Sequence, residues 1–103
     1  MSIEQFIDNE VKSNDVVLFM KGTPQFPQCG FSANAVRILN ALGVKELFAV
    51  DVLKDAEIRQ GIKDYANWPT IPQLYINGEF VGGSDIMMEM YESGELQQAL
   101  ATA

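Results

Sequence analysis

The first apolar positions, Ile3, Phe6, Ile7 and Val11, recur near helical spacing, and Ser2 with Gln5 makes a capping-box pattern. An amphipathic helix is expected over residues 2–13. After Asp15 the pattern becomes an unbroken apolar run, Val16-Val17-Leu18-Phe19-Met20. A short run of this kind reads as a strand covered on both faces. It stops at Lys21-Gly22, and the two prolines of GTPQFPQ make the next stretch a loop. Ala35, Ile38, Leu39 and Leu42 form a helical stripe within residues 33–42, which Gly43 ends. Residues 47–52 read as a second strand. Residues 55–65 read as a helix with Ile58, Ile62 and Tyr65 on one side, although Gly61 weakens the pattern.

Trp68-Pro69-Thr70-Ile71-Pro72 excludes regular helix. Residues 74–76 and 79–81 flank Asn77-Gly78, the dipeptide of a tight hairpin turn. Beyond Gly82-Gly83, Ser84 or Asp85 is expected to cap a helix running through Met87, Met88 and Tyr91 toward Gly94. A last short helix is expected over residues 95–101. The middle of the chain supplies a parallel βαβ unit and the Asn-Gly hairpin an antiparallel pair. An α/β fold, a four-stranded mixed sheet with helices on both faces, satisfies both. The 103 residues show no internal repeat and no linker, so one domain over residues 1–103 is expected.

Composition narrows the function. The formal net charge is -7. Gripping a nucleic-acid backbone needs the opposite balance, so no nucleic-acid partner is expected. No run approaches a membrane span, so no membrane partner is expected. The start, MSIEQFIDNE, is acidic and lacks the basic and apolar regions of a signal peptide. A cytoplasmic location is expected, or an organelle if a transit peptide has been removed. All seven bases (Lys12, Lys21, Arg37, Lys45, Lys54, Arg59, Lys63) precede Asp64, and the charged residues after it are all acidic. That acidic third reads either as a solubilising face or as a docking face for a basic protein.

The single cysteine, Cys29, and the absence of histidine restrict the chemistry most. No intrachain disulfide can form, Cys-His catalysis is excluded, and a zinc site of the usual Cys/His kind lacks ligands. Cys29 follows a Pro-rich loop and opens a helix. Helix-terminal N–H groups and the dipole favour a thiolate there, and Lys21, at the end of the preceding strand, could add its charge. The alternative is an inert cysteine used as a small core hydrophobe, but Cys29 lies away from the apolar runs. Where a dithiol site has its second cysteine, this chain has Ser32. A hydroxyl cannot resolve a mixed disulfide, so exchange would need an outside thiol. Spacing alone gives Ser32 no role beyond a first-turn helix residue.

These residues together resemble a monothiol glutaredoxin of the CGFS type, of the thioredoxin-like superfamily, over essentially the whole chain. The marks are MKGTP at residues 20–24, CGFS at 29–32, NWPTIPQLY at 67–75, and Gly82-Gly83 followed by Asp85. Their order around the pattern of strands and helices makes the match specific. Met1 leading directly into the first helix fits a natural single-domain protein.

The resemblance implies a thioredoxin-like (glutaredoxin) fold and a glutathione site. By it, Lys21 and Cys29 contact the glycine end and the thiol, and Phe31 lies beside the bound peptide. Arg59 and Lys63 help hold the glycyl carboxylate. Ile71, before a cis Pro72, pairs its main chain with the cysteinyl part, while Gly83, Ser84 and Asp85 hold the γ-glutamyl end. The chemistry is consistent. Arg59 and Lys63, four apart, share a helix face. A helix start suits an anion, and Asp85 suits an ammonium. From the residues alone, Arg59 and Lys63 read equally as a solvated face, and Trp68 and Phe31 as plain packing. Many family members have Cys where this chain has Ser84. A second disulfide route is therefore absent here.

The resemblance further implies a [2Fe–2S] cluster shared between subunits of a homodimer. Such a cluster needs four ligands, and two copies of Cys29 with two glutathione thiols supply them. Cys29 is then the one metal ligand from each chain. Delivery to apo iron–sulfur acceptor proteins and pairing with a BolA-like protein follow from the same resemblance. The competing expectation is an oxidoreductase that removes glutathione from mixed disulfides with Cys29 as nucleophile. The CGFS class performs this poorly, and its loop insertion at residues 23–27 would misplace Lys21 or glutathione for fast exchange.

Overall fold

A computed structural model describes residues 2–102 of the chain; Met1 and Ala103 lie outside the described residues. Helix α1 (Ile3–Ser13) opens on the expected capping box: Ser2 Oγ accepts from Gln5 N–H, and the Gln5 side chain accepts from Ser2 N–H. Strand β1 (Val16–Met20) follows, then α2 (Gly30–Ala41), β2 (Phe48–Asp51) and a 3-10 turn over Val52–Lys54. Next come α3 (Ala56–Ala66), β3 (Gln73–Ile76), β4 (Glu79–Gly82), α4 (Ser84–Ser93) and α5 (Glu95–Ala101). The sheet order is β2-β1-β3-β4. β1 runs parallel to β2 and antiparallel to β3, and β3 pairs antiparallel with β4. This is the thioredoxin-like α/β architecture, a four-stranded mixed sheet flanked by helices.

The unbroken apolar run of β1 is explained by two cores. Val16, Leu18 and Met20 pack with Ala35, Ile38 and Leu39 of α2, and with Met87 of α4 and Leu96 of α5. Val17 and Phe19 point the other way, onto Ile7 and Val11 of α1, Ile62 of α3 and Tyr75 of β3. Gly61, an obstacle to the helix pattern, has a packing reason. A Cβ there would lie 2.5 Å from Cγ2 of Ile3 and 2.8 Å from Cδ1 of Ile7, so its absence lets α1 and α3 close together. Asn77 and Gly78 both have positive φ, 53° and 83°, as a tight hairpin turn of this type requires.

Most elements differ from the sequence pattern by a residue at one end or both. Helix α2 begins at Gly30 with Cys29 as its N-cap and Ser32 in its first turn, as expected of a cysteine that opens a helix. The apolar stripe does not extend into that turn, and the cap supplied by the sulfur is what starts the helix. Val52 belongs to the 3-10 turn instead of β2. The N-cap of α4 is Gly83, not Ser84 or Asp85, and no side chain caps it. Among the described residues no helix is long and apolar enough to cross a membrane.

Candidate functional site

The chain turns sharply where β1 ends. Gly22 has φ 88°, and a Cβ there would lie 2.5 Å from the carbonyl oxygen of Phe26. Only glycine lets the loop fold back this closely. Gln28 N–H then donates to the Lys21 carbonyl at 2.8 Å, and Gly22 pairs with Pro27. The side chain of Asp51, at the end of β2, accepts from Gly22 N–H and from Leu53 N–H, each at 2.9 Å. The loop is therefore closed on itself and pinned to the sheet, and Cys29 leaves it at a fixed point.

Cys29 is partly exposed. Its Sγ accepts from Ser32 N–H at 3.3 Å and lies 3.3 Å from Ser32 Oγ. Ser32 is fully buried, and its Oγ also accepts from Lys21 N–H at 3.1 Å. With that lone pair engaged, the hydroxyl is positioned to donate to a thiolate. Burial pushes the Cys29 thiol up. The Ser32 hydroxyl, the backbone N–H groups of Ser32 and Phe31, and the Lys21 ammonium outweigh it and hold the thiol below its usual value. Ser32 thus acts on the thiol through contacts that spacing did not reveal. The one available signal was its place in the first turn beside a capping cysteine.

A groove of about 380 Å³ lies beside the thiol. Lys21 and Phe31 line its thiol end, and Phe31 is 64% exposed, an unusual place for a large apolar ring. Arg59 and Lys63 of α3 line one wall. The bend carrying Ile71 and Pro72 forms another, and the Ile71–Pro72 peptide bond is cis. Gly83, Ser84 and Asp85 line the groove at the start of α4. The fold thus gathers every anticipated site residue at one groove except Cys29, which stands beside it rather than among its lining residues. The lining also includes Trp68, Pro69, Thr70 and Ile86, which the sequence had not placed there. Nε1 of Trp68 is covered and has no hydrogen-bond partner.

A polar link joins the two helices that begin at this site. Arg37 donates to Asn34 Oδ1 at 2.7 Å, and Asn34 Nδ2 donates to Ser84 Oγ at 3.2 Å. Ser84 is nearly buried, and since its oxygen accepts from Asn34, its own O–H is left to donate elsewhere.

Comparison with known proteins assigns the family. The Glutaredoxin family profile matches residues 16–81. A monothiol glutaredoxin of Synechocystis sp. is 65% identical over 97 residues, covering 94% of this chain and 90% of its own length. Monothiol glutaredoxin-5, mitochondrial, of Lachancea kluyveri is 53% identical over 102 residues, covering 97% of this chain and 71% of its own. Among solved structures, reduced poplar apo GrxS14 superposes with a TM-score of 0.84 at 51% identity, covering 97% of this chain and 91% of that one. A monomeric truncated mutant of Trypanosoma brucei 1-C-Grx1 superposes with a TM-score of 0.87 at 45% identity, covering 99% and 91%. With one thiol in a CGFS first turn, a thioredoxin-like fold and these relatives, the chain belongs to the monothiol (CGFS-type) glutaredoxin family.

Proposed function

We propose that the chain binds glutathione in this groove and, as a homodimer, carries a [2Fe–2S] cluster as cargo between two copies of Cys29 and two glutathione thiols. Apo iron–sulfur proteins are the acceptors. The observation that carries the reading is a thiolate-favouring cysteine beside a groove with basic side chains on one wall and an uncapped helix start at another. Glutathione has two carboxylates, one ammonium and one thiol. Lys21, Arg59 and Lys63 suit the glycyl carboxylate, and the main chain of Ile71 beside Pro72 suits the cysteinyl unit. Gly83 and Ser84 at the start of α4 suit the glutamyl carboxylate, and Asp85 suits its ammonium. Phe31 covers the peptide from the thiol side.

The donor set fits shared cargo. Among the described residues no three His, Cys, Asp or Glu side chains gather. One chain therefore offers Cys29, and the remaining ligands of a four-ligand cluster come from glutathione and a second copy. The bases that hold glutathione also offset the negative charge of the thiolates. Two small, exchangeable ligands make the cargo removable. A BolA-like protein is the proposed heterologous partner, in place of the second copy.

The test is anaerobic reconstitution with iron, sulfide and glutathione, read by visible absorption coupled to sizing. A coloured dimer with one cluster and two glutathiones is expected, absent without glutathione and absent in Cys29→Ser. A colourless monomer, under conditions that load a known carrier, overturns the reading.

The depressed Cys29 pKa favours a second, weaker activity. The Cys29 thiolate attacks the glutathione sulfur of a protein–glutathione disulfide, and the protein thiolate leaves. A second glutathione thiolate then attacks that same sulfur, releasing glutathione disulfide and regenerating Cys29. Ser32 takes no covalent part. Slow turnover of a glutathionylated substrate, lost in Cys29→Ser, is the expected outcome.

A further inference from the structure

We infer that Gln73 is a positioning residue of the groove: its side-chain amide holds the bend at residues 68–72 in the shape that receives the ligand. The ligand named here rests on the glutathione reading above; the clamp rests on geometry alone. Gln73 opens β3, is fully buried, and is not among the groove-lining residues. Its Nε2 donates to the Trp68 carbonyl at 3.1 Å and to the Thr70 carbonyl at 3.3 Å. Its Oε1 accepts from the Tyr75 hydroxyl at 3.2 Å.

These partners leave the amide a single orientation. Carbonyls only accept, so the NH2 group must face them. The amide oxygen then faces Tyr75, whose hydroxyl must donate. Trp68, Thr70, Ile71 and Pro72 all line the groove, so Gln73 acts on that wall from behind. A second restraint reaches the same place. Tyr75 packs on Phe80 with ring centroids 5.4 Å apart, and Phe80 packs on the Trp68 indole at 5.7 Å. Few side chains can replace the clamp. An ionised glutamate has no donor for the two carbonyls. An apolar residue leaves both carbonyls and the Tyr75 hydroxyl without this partner.

The experiment compares the wild type with Gln73→Glu and Gln73→Met between about pH 5 and about pH 8. Glutathione affinity is measured by calorimetry. Emission of Trp68, the only tryptophan, is measured without ligand. The ionisable groups facing position 73 are Tyr75 on its own strand and, beyond that ring, Tyr65 of α3 with its acceptor Asp8 of α1. Arg59 and Lys63 stand on the groove side. The two tyrosines, pushed up, and Asp8, held down, are not expected to change charge in the chosen range. At the high end, Gln73→Glu is expected to bind glutathione about tenfold more weakly than wild type. Affinity should recover as the pH falls and the buried acid regains a donor. Trp68 emission should shift with the same midpoint. Gln73→Met, of similar volume, should bind weakly at every pH, and the recovery is read as the ratio of Gln73→Glu to wild-type affinity, which cancels the titration of Cys29 common to both.

Equal affinity of Gln73→Glu and wild type overturns the proposal, as does a loss that ignores pH. If the wild type fails to bind glutathione, the glutathione reading fails, and emission alone decides the clamp. A pH-dependent emission confined to Gln73→Glu then supports it, and flat emission overturns it. If Gln73→Glu does not fold, Gln73→Met decides: weak binding by a folded chain supports the clamp, and unchanged binding overturns it.

Discussion

Two helices begin at the groove, and they begin differently. The N-cap of α2 is Cys29, whose own sulfur accepts from Ser32 N–H. The N-cap of α4 is Gly83, and no side chain caps it. Every helix start presents N–H groups without an intrahelical partner and the positive end of a dipole. At α2 this field acts on the protein's own sulfur and favours its thiolate form. At α4 it is left for an anion from outside. The Arg37–Asn34–Ser84 link ties the two starts together across helices 50 residues apart in sequence. On the proposed reading, one architectural device serves the thiol at one place and the ligand at the other.

The largest expected effect comes from making the second start resemble the first. Gly83→Asp supplies α4 with a carboxylate of its own. The backbone permits a side chain, since φ at Gly83 is -97°. A Cβ meets the Pro72 carbonyl at 3.3 Å and Trp68 Nε1 at 3.5 Å, a tight but not prohibitive fit. Glutathione affinity should fall by about tenfold or more, while the new cap changes stability by only about 1 kcal/mol. Calorimetry and thermal melting check the two numbers. Unchanged affinity would break the comparison at α4.

A smaller effect is expected from weakening the first start. Ser32→Ala removes the hydroxyl beside Cys29 and leaves the Lys21 N–H without its acceptor. The orphaned donor should cost about 1–3 kcal/mol in denaturant unfolding. The midpoint of the pH–rate curve for alkylation by iodoacetamide should move up, and the rate near neutral pH should drop. The sign for stability follows from the depressed pKa. The Cys29 contribution is present above the ordinary thiol pKa and is lost as pH falls through the lowered one. Ser32→Ala should shrink that contribution. An alkylation profile identical to wild type would remove Ser32 from the account of the thiolate.

The smallest effect serves as a control away from both starts. Tyr65 donates to Asp8 at 2.7 Å on the α1–α3 side. Burial, and then that bond and the Asp8 charge, push its pKa up to about 12. Its contribution to stability is present below the ordinary tyrosine value and is lost as pH rises through about 12. Asp8 is held below its usual value, first by the Tyr65 bond and then by Lys12. Its contribution is present above the ordinary carboxylate range and is lost as pH falls. Tyr65→Phe should flatten stability at both pH extremes, with alkylation and glutathione affinity unchanged. A change in either would mean that the helix starts are not independent of the α1–α3 layer.

Much of the fold was legible because it rests on local periodicity. The capping box at Ser2, the apolar run of β1, the Asn77-Gly78 turn and the order of elements all follow from neighbours a few residues apart. The site residues were legible chiefly through the CGFS resemblance, since Arg59 and Lys63 by spacing alone look like any solvated helix face. The start of α2 was legible as the place where Cys29 opens a helix, but the cap formed by its sulfur depends on where Ser32 N–H points. The start of α4 was misread because Ser84 and Asp85 are good cap residues that the structure places one and two positions too late.

By itself, the sequence determined the elements, their order, a single thiol and the need for an outside thiol in any exchange. Tertiary structure alone decided which lone pairs and donors remain free. Ser32 faces Cys29 because Lys21 N–H occupies its oxygen, and Asp51 holds Gly22 from 29 residues away. Gln73 turns its amide onto Trp68 and Thr70 because Tyr75 takes the other end. The physical reason is that apolar periodicity is a property of one segment, whereas hydrogen-bond satisfaction is settled only when distant segments meet.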